Sequence, residues 1–153
     1  MRLLLAAVAA VSLTATAACA QPAQQNPTAF MARHALEDGV HSLPTGVQYK
    51  VLSSGDPNGV HPRPQDTVTV NYDGRLLSGE VFDTTYNTGK PATFQLGGLI
   101  PGWVDVLQQM RPGDEWQVWI PPSRGYGKEA TGPIPGNSVL VFKMQLISVL
   151  VAK

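Results

Sequence analysis

The chain has 153 residues, 43% of them hydrophobic and 14% charged, the balance of one globular domain rather than of a disordered or membrane-embedded chain. Lys plus Arg and Asp plus Glu number 11 each, so the net charge is zero, and there is no basic cluster of the kind nucleic-acid binding requires. The 13 prolines and 15 glycines predict many turns between short strands.

Residues 1–20 differ from the rest. Met1-Arg2 supplies a positive start, residues 3–13 are apolar except Ser12, and a small-residue run continues to Ala20. That order reads as a secretory signal peptide, too short for a permanent membrane span. Two processing routes fit it. Ala18-Cys19-Ala20 suits ordinary signal peptidase, releasing a soluble chain that starts at Gln21. Thr16-Ala17-Ala18-Cys19 resembles a bacterial lipobox, with Thr16 where leucine is usual, and would leave Cys19 lipidated and the chain anchored to the envelope membrane. Cys19 is the only cysteine, so no internal disulfide, cysteine zinc site or Cys–His catalytic pair can form.

Residues 21–44 read as a polar, proline-bearing tether followed by one short helix over Phe30 to Asp38, stopped by Gly39. A domain over 45–153 follows. Val47 to Val51 alternates apolar and polar residues, and a Gly/Pro-rich loop follows from Ser53 to Pro64. Thr67 to Tyr72 alternates again, with Val68, Val70 and Tyr72 on one face. Ser78-Gly79 marks a turn into an extended Val81 to Asp83, and Lys90 to Leu96 holds another short strand. Trp103, Leu107 and Met110 fall at helical spacing between Pro101-Gly102 and Pro112-Gly113. Trp116, Val118 and Ile120 then share one strand face, as do Leu140, Phe142, Met144 and Leu146 beyond a Gly/Pro-rich loop from Pro121 to Asn137. The sum is an α+β domain, a bent antiparallel sheet with one short helix packed across it, in which Tyr72, Phe82, Phe94, Trp103, Trp116 and Phe142 supply most of the aromatic core.

Most familiar catalytic sets are missing. There is no HExxH, GxSxG or phosphate loop, and Gly97-Gly98 is a turn. His34, His41 and His61 lie outside the strand core and read as solvated surface residues. Asp83 is the only acidic residue flanked by core-type aromatics, and a lone carboxylate cannot run paired acid–base chemistry. What remains is a density of aromatics near loops, including Tyr86 and Tyr126.

Their order carries a resemblance. Tyr72-Asp73-Gly74, Gly79-Glu80-Val81-Phe82-Asp83, Ile100-Pro101-Gly102-Trp103, Gly125-Tyr126-Gly127 and Leu140-Val141-Phe142 occur in the sequence and near-spacing of FKBP-type peptidyl-prolyl cis-trans isomerases. The likeness covers about residues 45–150, and Thr45 to Val51 is similar to the bacterial exported branch related to the macrophage infectivity potentiators. It implies about five antiparallel strands wrapped around one helix, with a substrate proline seated in an apolar cleft between them. By resemblance, Trp103 is the floor of that cleft, Tyr72, Phe82 and Phe142 are its walls, and Leu99, Ile100 and Ile134 add aliphatic contact. Asp83 orients groups from the rim, and the Ile100 N–H and Tyr126 hydroxyl donate to substrate carbonyls.

No cofactor or metal is implied. The implied partners are proline-containing unfolded or nascent exported polypeptides, together with macrolides such as tacrolimus or rapamycin. Only residues 21–44 precede the domain, where relatives often carry a long helical dimerisation region, so a periplasmic monomer is the expectation, soluble or anchored through Cys19. Thr88 stands where many members have an arginine paired with the aspartate, and Ala92 where many have a phenylalanine, which implies a wider, less aromatic mouth and weaker macrolide binding. The segment from Gly97 to Ile100 is also about two residues shorter than in many members. The competing reading is a non-catalytic envelope chaperone that holds unfolded chains in the same cleft.

Overall fold

The structure, a computed structural model, describes residues 26–153; the signal-peptide reading and Cys19 lie outside the described residues. The elements are helix α1 (Pro27–His34), strands β1 (His41–Ser42), β2 (Gln48–Ser53), β3 (Thr67–Leu76), β4 (Val81–Thr84) and β5 (Ala92–Gln95), helix α2 (Pro101–Leu107), and strands β6 (Glu115–Ile120) and β7 (Leu140–Leu150). All strands join one antiparallel sheet of seven in the order β1-β2-β6-β7-β3-β4, with β5 also pairing β3. The long strand β3 thus has β7 along one flank and β5 then β4 along the other. The α+β architecture matches the expectation, with seven strands where about five were expected, and with α1 and α2 answering to the short N-terminal helix and the one domain helix.

Strict alternation explains which face is buried. Strands β3, β6 and β7 bury Val68, Val70, Val118, Ile120, Leu140, Met144 and Leu146 completely, while their intervening residues are only partly covered. Helix α2 lies against that face with Val106 and Leu107 fully buried. It begins at Pro101, whose ring presets the first helical φ, and it approaches the sheet closely at Gly102. A Cβ on Gly102 would stand 2.5 Å from Ile120 Cγ2, so only glycine allows this contact.

The N-terminal helix starts earlier than expected. Asn26 caps it, its Oδ1 accepting the N–H groups of Thr28 at 3.0 Å and Ala29 at 3.3 Å, and Pro27 takes the first position. Its end at His34 falls short of Asp38. It packs on the outer face of the sheet, and here one expectation is corrected: His34 is not a solvated surface residue but only 5% exposed. Its ring lies 4.0 Å from that of Trp119 and stacks on Phe30 at 5.4 Å. Gln48 Nε2 donates to the Met31 carbonyl at 2.7 Å, so its Oε1 faces His34 Nδ1, also at 2.7 Å, and that nitrogen carries the proton. The physical reason is that Gln48 and Trp119 are paired across β2 and β6 on the face away from the core, and α1 covers them.

A second pin closes the other end of the sheet. Buried Asp66 accepts from Ala152 N at 2.9 Å and Arg63 N at 2.8 Å, and the first of these contributes most to holding its carboxyl pKa below the usual 3.8. Among the described residues, no helix is long and apolar enough to cross a membrane.

The His34 clasp yields a direct expectation. His34→Ala leaves Gln48 Oε1 buried without a donor and uncovers Trp119, so it should lower the unfolding free energy by about 2–3 kcal/mol. Urea unfolding checks this, and a change under about 0.5 kcal/mol would show that α1 is not docked in solution.

Candidate functional site

The core-facing aromatics converge between α2 and the sheet. Trp103, 5% exposed, sits on the first turn of α2. Three rings meet it edge to face: Tyr72 at 4.8 Å and 84°, Phe142 at 5.2 Å and 88°, and Phe94 at 6.0 Å and 85°. Phe82 extends the cluster, its ring perpendicular to Phe142 at 5.5 Å. T-shaped contacts set the positive ring edge against the negative face, and each contributes about 0.5–1.5 kcal/mol beyond area burial. The Trp103 Nε1–H is buried with no hydrogen-bond partner among the described residues, so nothing polar competes with the rings for the indole's orientation.

Local sequence explains the convergence. Tyr72 and Gly74 fall on the core face of β3, two residues apart. A Cβ on Gly74 would come within 2.7 Å of Phe142 Cε1 and 2.9 Å of Phe82 Cζ, so the missing side chain makes the space in which those rings meet. A register shift between Gly74 and Arg75 in the β3–β4 pairing breaks simple alternation. Both Phe82 and Asp83 therefore reach β3's inner residues: Phe82 approaches Phe142, and Asp83 Oδ2 accepts the Tyr72 hydroxyl at 2.7 Å. Buried Thr85 secures the crossing, its Oγ1 accepting the Tyr72 N–H at 3.0 Å.

The rim is polar and open. Ile100 precedes α2, and its carbonyl accepts from Trp103 N at 3.0 Å. Its own N–H meets no acceptor among the described residues. Leu99 and Ile100 are partly buried against the core. Tyr126 is 41% exposed, and its hydroxyl also lacks a partner among the described residues, so two donors stand free beside the cluster. Ile134, buried, faces inward from a small bridge with Thr131.

The tyrosine at the centre is held neutral. Burial, then the hydrogen bond to Asp83, then the Asp83 charge, and last the nearby Tyr126, all push the Tyr72 pKa well above its ordinary 10.0. Tyr72 therefore remains a donor and Asp83 its acceptor.

The structure brings together Tyr72, Phe82, Asp83, Trp103 and Phe142, with Leu99, Ile100, Tyr126 and Ile134 on the surrounding segments. Sequence reasoning placed Phe94 in the core but not at the site, and assigned no role to Gly74 or Thr85. The strand pairing of Phe94 with Val68 was the missing information, because it aims that ring at Trp103. Thr88, which stands where an arginine was anticipated, donates to the Thr85 carbonyl at 2.9 Å. A separate groove, bounded by Asn26, Met31, Leu76, Pro121, Lys128 and Val139, does not include the aromatic cluster.

This arrangement has counterparts in known proteins. The sequence profile of the FKBP-type peptidyl-prolyl cis-trans isomerases matches residues 59–147, over half of the chain. The chain belongs to the FKBP family. The Mip peptidyl-prolyl cis-trans isomerase of Coxiella burnetii is 47% identical over 122 residues, covering 79% of this chain and 52% of that protein. The outer membrane protein MIP of Legionella longbeachae is 46% identical with the same coverage. Among solved structures, Escherichia coli FkpA superposes with a TM-score of 0.77 at 39% identity, covering 83% of this chain and 59% of that one. A Pseudomonas syringae peptidyl-prolyl isomerase also gives 0.77, at 34% identity, covering 84% and 93%. The chain spans about half the length of the curated relatives it matches, and the shared part is the FKBP domain.

Within that domain, the Tyr72 shift is measurable. Phenol absorbance at 295 nm should show a step later than pH 10, and Tyr72→Phe should abolish it. Because the unfolded phenol ionises near 10.0 and the folded one later, folding stability should fall as pH rises through 10. A titration unchanged by Tyr72→Phe would contradict the burial and the Asp83 bond.

Proposed function

We propose that this FKBP domain is a peptidyl-prolyl cis-trans isomerase acting on exported polypeptides. The observation that carries the reading is the Trp103 floor, boxed edge-on by Tyr72, Phe94 and Phe142, with the free Ile100 N–H and Tyr126 hydroxyl on neighbouring segments. A prolyl ring on that floor finds apolar surface on several sides.

The chemistry follows from the imide. Rotation about an X-Pro bond faces a barrier of roughly 20 kcal/mol, because twisting removes amide resonance. Resonance also separates charge, so the twisted imide is less polar than the planar one. Water stabilises the planar form more, and a dry aromatic cleft removes that preference, which amounts to tighter binding of the transition state. Each tenfold gain in rate requires only about 1.4 kcal/mol of such preference. The Ile100 N–H and Tyr126 hydroxyl would hold the flanking carbonyls while the imide turns. Asp83, tied to Tyr72, would orient the wall rather than transfer a proton.

The same residues would wall a macrolide site, and we read tacrolimus or rapamycin as ligands of this cleft, bound less tightly because Ala92 stands where many members have a phenylalanine. Export to the bacterial envelope is part of the proposal and rests on the sequence of residues 1–20 and on the kinship with the outer membrane protein MIP. Mass spectrometry of the mature N-terminus separates cleavage after Ala20 from lipidation at Cys19. A second reading, a chaperone that holds chains without turnover, is favoured by exposed Val81 in β4 and exposed Tyr86 just after it.

A protease-coupled proline-peptide assay separates the two. Phe82→Ala, at a partly buried position, should lower kcat/KM about 100-fold, equivalent to about 2.7 kcal/mol, with the fold retained. Asp83→Leu should lower turnover about tenfold without unfolding the domain. Suppression of aggregation by the wild-type chain with no turnover, unaffected by these changes, would establish the holding role instead.

A further inference from the structure

The loop between β6 and β7 carries both Tyr126 and Ile134, yet its hydrogen bonds are almost all its own. Arg124 N bonds to the Pro121 carbonyl, Gly125 N and Gly127 N to that of Pro122, and Asn137 N to that of Gly127. Thr131 and Ile134 bond to each other, and Ser138 Oγ donates to the Pro135 carbonyl. Among the described residues, the hydrogen bonds that leave the loop are two from the Arg124 guanidinium. Nε donates to Asp105 Oδ2 at 2.8 Å, and Nη2 to Asp105 Oδ1 at 2.7 Å.

The place of this fork in the fold matters. Asp105 is on α2, two residues after Trp103, and Arg124 is two residues before Tyr126. The side chains are 13% and 33% exposed, so water competes only in part. A bidentate guanidinium–carboxylate pair fixes both distance and angle, which a single hydrogen bond or a lysine does not. Resting on the reading of the aromatic cleft as the isomerase site, we propose that Asp105 and Arg124 form a positioning pair that sets the spacing between the Trp103 floor and the Tyr126 donor. Neither side chain contacts substrate in this scheme. The pair acts through the loop, whose later limb is held separately by buried Ile134. Breaking the fork therefore loosens the Tyr126 segment and leaves the sheet intact.

The test uses Arg124→Gln, Asp105→Asn, their double variant and Arg124→Lys in the full chain. Amide hydrogen exchange over Gly125 to Lys128 should speed up about tenfold in each single variant, with β6 and β7 amides unchanged. For a proline peptide, KM should rise about fivefold while kcat stays within about twofold, because a displaced donor weakens ground and transition states alike. The double variant should be no worse than either single one, and Arg124→Lys should recover only part of the loss. Unchanged exchange and KM, or single effects that add in the double variant, would overturn the pairing. Should a neutralised variant fail to fold, Arg124→Lys keeps the charge and decides the matter by the same exchange measurement. Absence of turnover in the wild-type chain would instead sink the isomerase reading, and exchange alone would then decide whether the fork holds the loop.

Discussion

Everything at the site depends on how closely α2 can lie against the sheet. Trp103 is delivered to the centre of the aromatic cluster only because Gly102, its neighbour on the first turn, lets Ile120 come to a distance no Cβ would permit. Gly74 makes the matching allowance from the strand side, opening room for Phe82 and Phe142. Two absent side chains thus define the volume in which four rings meet the indole or one another. Terms of opposite sign balance there. The edge-to-face contacts contribute about 0.5–1.5 kcal/mol each, and the orphan indole N–H costs about 1–3 kcal/mol. The net gain from the contacts is modest, and the larger product is a rigid floor in a defined orientation.

The fold was largely legible because its core strands alternate cleanly. Val68, Val70 and Tyr72 on β3, and Leu140, Phe142, Met144 and Leu146 on β7, could be assigned a common face from period two alone, and all are buried. Trp103 and Leu107 were legible from helical spacing. The convergence of the aromatic rings was legible for a different reason, the order of short aromatic and glycine-bearing fragments. Where the reading fell short, the deciding contact joins segments far apart in sequence. His34 looked solvated because its burial depends on Gln48 and Trp119, which occupy the outward positions of β2 and β6 and would be polar-facing without α1. Strand β1 has two residues, too few for any periodicity. Phe94 and Thr85 act at the site through strand register and a hydroxyl bond, neither of which the residue types announce.

Thr88 stands where the resemblance leads one to expect an arginine paired with Asp83, and it supplies no charge to that carboxylate. Instead, the Tyr72 hydroxyl holds it at 2.7 Å, and Thr88 serves its own loop by donating to the Thr85 carbonyl. The loop is then connected to the site through Thr85, whose hydroxyl meets the Tyr72 backbone. Where the resemblance implies a charged pair, this chain has neutral hydroxyl and amide donors around one carboxylate. Such an arrangement is less costly to desolvate than an ion pair, and it keeps the cleft wall apolar where a prolyl ring would rest.

The two sides of the cleft consequently differ in stiffness. The floor and inner wall belong to α2, β3, β5 and β7, tied by the sheet ladder and by interlocked rings. The outer donor belongs to a loop whose bonds are nearly all internal. If the cleft binds a twisting imide as proposed, that division would serve it. The apolar floor would have to stay fixed, because its preference for the less polar twisted imide depends on excluding water. The outer donor would only have to hold a flanking carbonyl while the bond turns, so a loop linked to α2 by one bidentate fork would serve without being locked along its length. The Asp105–Arg124 fork, the ionic link from loop to helix among the described residues, would then set where that donor stands without itself touching a bound proline.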